Sequence, residues 1–204
     1  MAIANYTDLK TSIGNWLNRS DLSAYIPDFI TLAEAEINRR LRIAAMEKRS
    51  RSDTASGDTY VALPSGFLEA SRVTIIGAPN RDLDYKPPSE LHKMYESNVG
   101  GKPKVYTIEG TELRLAPKTD AIYTVEIRFY EKFAALSDSN LTNWLTDNAP
   151  DLLLYSSLSQ SELFLKNDPR VATWKSLAEK IFSDIVKEDR DKKVSGSPLE
   201  MRVN

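Results

Sequence analysis

With 204 residues, 41% hydrophobic and 27% charged, the chain has an ordinary globular composition and enough length to bury a core without staples. Its formal net charge of −2 excludes a global pull toward nucleic acid or anionic membrane, so any such contact has to be local. Zero cysteines exclude disulfides, thiolate nucleophiles and sulfur-liganded zinc, and a single histidine, His92, excludes a His–His metal pair within one protomer.

No apolar run approaches the roughly 20 residues that span a bilayer. The opening Met1-Ala2-Ile3-Ala4-Asn5-Tyr6 has neither the basic nor the apolar region of a signal peptide. The first stretch then reads as helix. Thr7 is placed to cap it, Asp8 complements the dipole, and Leu9, Ile13, Trp16 and Leu17 share one apolar face. Asn18, Arg19, Ser20 and Asp21 break it. A second helix opens near Pro27 and Asp28 and buries Ile26, Ile30, Ala33, Ile37 and Leu41, with Glu34, Glu36, Asn38, Arg39 and Arg40 on its other face.

Residues 46–52 are charged and roughly extended. Strands are expected at 59–63, 73–76 and 83–85, followed by a short helix at 89–94 capped by Ser89. Residues 105–108 and 112–115 form a hairpin across Glu109, Gly110 and Thr111, where glycine supplies the positive φ. Tyr123, Val125, Ile127 and Phe129 then alternate with Thr124, Glu126, Arg128 and Tyr130, the clearest period-2 strand of the chain.

Helix returns at Pro150 and Asp151, with Leu152, Leu153, Tyr155, Leu158, Leu163 and Leu165 at helical spacings. Ser156, Ser157, Ser159 and Ser161 are small enough to let a neighbouring helix come close. Asp168-Pro169 starts another amphipathic helix through Val171, Trp174, Leu177, Ala178, Ile181, Phe182 and Ile185, fading into a solvated charge run at 187–193. Trp16, Trp144 and Trp174 sit among aliphatic residues and are expected in the core.

Helices at both ends with strands between them predict an α+β fold: a bundle-like helical layer built from both termini, with an inserted, mostly antiparallel β block. The expected division is 1–44 and 132–192 for the helical part, 45–131 for the β insert and 193–204 for an extended tail.

Familiar catalytic patterns are scarce. Gly100-Gly101-Lys102-Pro103 lacks P-loop spacing and reads as an ordinary loop. His92 has no nucleophile elbow or second histidine to work with and reads as a surface residue. Carboxylates leave room for glycoside hydrolysis, yet Glu34 and Glu36 point apart on a helix, and only Glu69 with Asp82 or Asp84 could meet. No catalytic residue, metal site or cofactor is assigned. Two other features point to surfaces. Arg39, Arg40, Arg42, Lys48, Arg49 and Arg51 form the densest basic cluster, suited to a DNA channel or an acidic partner, or simply to a solvated helix end. In the tail, Leu199, Met201 and Val203 alternate with Glu200, Arg202 and Asn204, suited to docking as an added strand or to fraying.

Several segments, in order, resemble a phage protein family. They are Tyr6-Thr7-Asp8-Leu9-Lys10 with Trp16-Leu17-Asn18-Arg19-Ser20-Asp21-Leu22, and Ile26-Pro27-Asp28-Phe29-Ile30 running into Ala33-Glu34-Ala35-Glu36-Ile37-Asn38-Arg39. Tyr60-Val61-Ala62-Leu63-Pro64 before Phe67-Leu68-Glu69, and Leu136-Ser137-Asp138 through Asn143-Trp144-Leu145 to Pro150-Asp151-Leu152, continue the likeness. The family is the head-to-tail adaptor, or connector, of short-tailed bacteriophages and related prophages. The resemblance implies a virion protein of the head–tail junction, made in the host cytoplasm, that forms a ring of twelve copies beneath the portal protein. Its tail would reach the portal, its opposite side would receive the next tail component, and passing DNA would meet it non-specifically. Readings from other classes are a carboxylate-dependent hydrolase of cell-wall glycan and a phage DNA-binding module using residues 39–51.

Overall fold

In the computed structural model, which describes residues 3–95, 99–165 and 168–194, the chain enters α1 (Tyr6–Leu17) through Asn5, whose Oδ1 accepts the Asp8 N–H at 2.9 Å. Asparagine in extended backbone is a better cap than threonine, so the start moves two residues ahead of Thr7, which lies inside the helix. Leu9, Ile13 and Leu17 are fully buried, as their spacing demands. Trp16 is not: at the margin of the stripe it meets Tyr155 edge-on at 5.7 Å between centroids and stays 45% exposed. A 3₁₀ turn (Ser20–Tyr25) leads into α2 (Ile26–Arg40), whose expected apolar stripe is buried through Leu41.

The chain divides into two compact units, one of Met1–Ala45 with Phe133–Asn204 and one of Met46–Lys132. In the first, α4 (Trp144–Asn148) and α5 (Pro150–Gln160) are followed by a 3₁₀ turn at Ser161–Leu163, so the stretch opened by Pro150 is not helical to Leu165. Helix α5 packs against α1, α2 and the long α6 (Arg170–Val194), with Ser156, Ser157, Ser159 and Ser161 all buried where these neighbours approach. Asp168 Oδ1 accepts the Arg170 N–H at 2.9 Å at the start of α6. Its far end does not fade: the charged run is helical to Val194, with Lys192–Glu188 and Lys193–Asp189 pairs at i,i+4 spacing. Along the α6 stripe Val171 and Trp174 are buried, but Leu177, Ile181, Phe182, Ile185 and Val186 are only half covered or exposed. Trp144 is half-buried, stacked on Phe133 at 5.2 Å.

One buried acid joins the two halves of this helical unit. Glu34, expected on the wet face of α2, is 5% exposed, and its carboxylate accepts the Leu136 N–H at 3.0 Å and the Asn143 amide at 3.1 Å. One turn on, Asn38 Oδ1 accepts the Phe133 N–H at 2.9 Å. The chain re-entering from the β insert is thus received by two side chains of α2. Asn143 in turn caps α4, accepting from Leu145 and Thr146.

The second unit holds two four-stranded sheets. The first runs β1 (Glu47–Asp53), β8 (Thr124–Glu131), β3 (Phe67–Ile76) and β4 (Arg81–Asp82), all antiparallel. The second runs β2 (Tyr60–Ala62), β7 (Glu112–Ala116), β6 (Val105–Glu109) and β5 (Asp84–Tyr85), antiparallel except for the β5–β6 pair. Val73, Ile75, Val125, Ile127 and Phe129 of the first sheet share a core with Val61, Tyr106, Leu113 and Leu115 of the second. Gly110 has φ 63° in the β6–β7 turn, as the hairpin requires. The short α3 (Pro88–Met94) starts after Pro87 with no side-chain cap, so Ser89 does not fill that role. The whole is α+β, helices from both ends of the chain with a mostly antiparallel insert.

Burial pushes the Glu34 carboxyl up to about 7 from its ordinary 4.5, although two hydrogen bonds favour the anion. Between those values the folded chain holds a proton that the unfolded chain has lost. The contribution of Glu34 to stability is therefore complete below pH 4.5 and lost as pH rises through about 7. Glu34→Gln, which keeps an acceptor without the charge, should flatten the melting temperature between about pH 5 and 8 and exceed the parent at the upper end. Glu34→Leu should cost about 1–3 kcal/mol in urea unfolding, because the Leu136 N–H and Asn143 amide lose their acceptor.

Candidate interface surfaces

The six cations of the sequence cluster fall in both units. Arg39, Arg40 and Arg42 belong to the helical unit, and Lys48, Arg49 and Arg51 to the β unit. Arg39 is exposed. Arg40 is engaged inside its own unit: its Nη2 donates to both carboxylate oxygens of Glu179 at 2.7 Å, and its guanidinium lies 4.3 Å above the Phe182 ring. Arg42 donates to the Asn38 and Leu41 carbonyls at the C-terminal end of α2, where orphan acceptors need donors. Lys48, Arg49 and Arg51 lie on β1, an edge strand whose exposed charges also discourage pairing with foreign strands.

On the outer face of the first sheet the register builds an ordered array. Arg49 lies opposite Arg128, which lies opposite Arg72, a rung of three guanidinium groups across β1, β8 and β3. The next rung sets Arg51 and Thr74 on either side of Glu126, with Asp82 beyond Thr74. Like charges directly across strands repel, and the adjacent acids offset this. Arg51 Nε donates to Glu126 at 2.8 Å, Arg128 approaches its other oxygen at 3.5 Å, and Arg49 stands at 3.8 Å. Asp82 takes Arg72 and the Thr74 hydroxyl, both at 2.7 Å. The Arg51 hydrogen bond, with the charges of Arg51 and Arg49, holds the Glu126 carboxyl below the usual carboxylate range. Glu126 is thus nearly buried under arginines rather than solvated, and Arg72 and Arg128 join a surface that the sequence cluster did not include. Period-2 alternation of β8, which puts Glu126 and Arg128 on one face, was the available signal.

The helical unit carries a second surface. Helices α2 and α6 flank a groove floored by α5, lined by Leu32, Ile37, Ala178 and Phe182 and enclosing about 460 Å³. Its charged rim is internally paired: Arg40 with Glu179 and Glu36, Gln160 with Glu36, Lys175 with Glu162. Leu32 is 52% exposed. Tyr25 and Phe164, with ring centroids 5.0 Å apart, are also partly exposed.

His92, Asp82 and Gly101 are each held by neighbours. Arg114 Nη1 donates to His92 Nε2 at 2.7 Å and to Glu109 at 3.1 Å. Asp82 is committed to Arg72 and Thr74, and the Gly101 N–H to the Lys118 carbonyl at 2.7 Å. Among the described residues no group of three or more His, Asp or Glu could hold a metal, and no helix is long and apolar enough to cross a membrane. The tail residues Leu199, Met201 and Val203 lie outside the described residues.

Surfaces of this kind, charged and apolar, suit contact with other proteins. The chain belongs to the SU10 adaptor protein family, whose model matches residues 4–202, and so to the head–tail adaptors of phages. No curated protein matches it.

Removing the charge of Glu126 should leave the arginine rung uncompensated. Glu126→Gln is expected to lower the melting temperature at neutral pH, with the loss shrinking as added salt screens the repulsion over a Debye length of about 3 Å at 1 M. Because the Glu126 pKa is lowered, its contribution is present above the ordinary carboxylate pKa and lost as pH falls, so the parent and variant melting curves should converge in acid.

Proposed function

We propose that this adaptor is a ring-forming connector: twelve copies seat beneath the portal protein, receive the next tail component on the opposite side, and retain DNA in the head until it is ejected through the channel. The observation that carries this reading is the family match, which takes in both units of the chain. The large side chains left exposed on the helical unit, Trp16, Tyr25, Leu32 and Phe164, support it as surface for lateral contacts between protomers. Residues 195–204, with Leu199, Met201 and Val203 in alternation, dock on the portal as an added strand. Passing DNA meets exposed cations such as Arg39, Lys48 and Arg49 through its phosphates, without sequence preference. The protein then resides in the virion at the head–tail junction.

The test uses portal rings with the intact chain and with a chain truncated after Val194, where α6 ends. Electron microscopy should show the intact chain as an added ring on the portal, and co-sedimentation should show the truncated chain unattached while its circular dichroism and melting temperature match the parent. Attachment of the truncated chain at parental affinity would refute portal docking by the tail. Failure of the intact chain to form any ring with the portal would refute the connector reading itself.

A further inference from the structure

We propose that the uncovered apolar stripe of α6, beside the α2–α6 groove, is a seat for residues 199–203 of the same chain. This rests on the reading of residues 195–204 as a docking tail, and gives that tail a resting site within its own protomer before assembly.

The stripe is one line of a helix: Ala178, Phe182 and Val186 recur at i,i+4 spacing, about 6 Å apart along the axis. Ala178 and Phe182 are half covered and Val186 is 40% exposed. Arg40 covers one side of the Phe182 ring at 4.3 Å and leaves the ring half-buried. Apolar side chains at alternate positions of an extended segment recur every 6.8 Å or so. Leu199, Met201 and Val203 are therefore nearly commensurate with the stripe, one apolar side chain for each turn or so of helix.

The reach also fits. Val186, Phe182 and Ala178 lie about 12, 18 and 24 Å back from Val194 along the axis. Extended chain carries Leu199, Met201 and Val203 to at most about 17, 24 and 31 Å from Val194. Rounding the helix end uses about 6 Å, half a helix diameter. At full extension the three tail residues can then come level with Val186, Phe182 and Ala178 in that order. Ser195-Gly196-Ser197-Pro198 supplies the length for the reversal. Beside Ala178 and Phe182 the rim groups Arg40, Glu179, Lys175, Glu162, Gln160 and Glu36 already have partners within the protomer. Tethering at Val194 favours this chain's own tail over that of a second copy, because the effective concentration of a short linked segment is in the millimolar range.

The cysteine-free sequence provides a direct test. Ala178→Cys with Val203→Cys, and separately Val186→Cys with Leu199→Cys, are introduced into the isolated full-length chain and oxidised in a glutathione buffer. Non-reducing electrophoresis and intact mass should show an intrachain disulfide whose rate of formation is independent of protein concentration. Removing residues 195–198 preserves the apolar motif but shortens the reach of residue 203 to about 17 Å, short of Ala178, and should slow the Ala178–Val203 cross-link at least about tenfold. Absence of a disulfide in both pairs, dimer formation that rises with concentration, or indifference to the 195–198 deletion would each overturn the proposal. Portal rings take no part in this measurement. If the cross-link forms while the chain truncated after Val194 still attaches to the portal, the seat stands and portal docking by the tail falls.

Discussion

The helical unit depends on a buried carboxylate receiving backbone from the far side of an insertion. Glu34 and Asn38, one turn apart on α2, accept the N–H groups of Leu136 and Phe133 as the chain returns, and the Asn143 amide closes the arrangement. Burying an acid is costly, and the raised pKa of Glu34 records that cost. The compensation is geometric. Loop backbone that would otherwise be buried without partners is satisfied at a fixed position, and Asn143, held there, caps α4 and directs the chain into α5. Helices α1, α2 and α6 then pack on α5, whose serines leave room for them.

Much of this fold was legible in the sequence because its periodicities are strong and local. The Leu9, Ile13 and Leu17 stripe, the α2 stripe, the Gly110 hairpin and the alternation of β8 are each fixed by neighbours within a few residues. What was missed depends on partners distant in the chain. Glu34 has the composition of a solvated face and is buried because Leu136, 102 residues later, needs an acceptor. The extended backbone of the charged stretch 46–52 was legible, but its pairing with β8 as an edge strand, where charge is tolerated, was not. The charged end of α6 stays helical because its i,i+4 pairs support it.

The candidate surfaces were less legible for the same reason. Arginines adjacent in sequence fall into two units, while those that form one rung, Arg49, Arg128 and Arg72, come from three strands and are joined only by register. The groove beside α6 needs α2 and α6 side by side, and its principal cross-link, Arg40 to Glu179, spans 139 residues. No local pattern announces either surface.

The pairing of β1 with β8 has one more consequence. Glu47 lies opposite Tyr130, so the strands by which the chain enters and leaves the β unit run side by side, with backbones about 5 Å apart. The second unit therefore begins and ends at neighbouring points of its own sheet. A short turn spans a gap of that width, so the backbone on either side of the insert could be rejoined without the eighty-odd residues between.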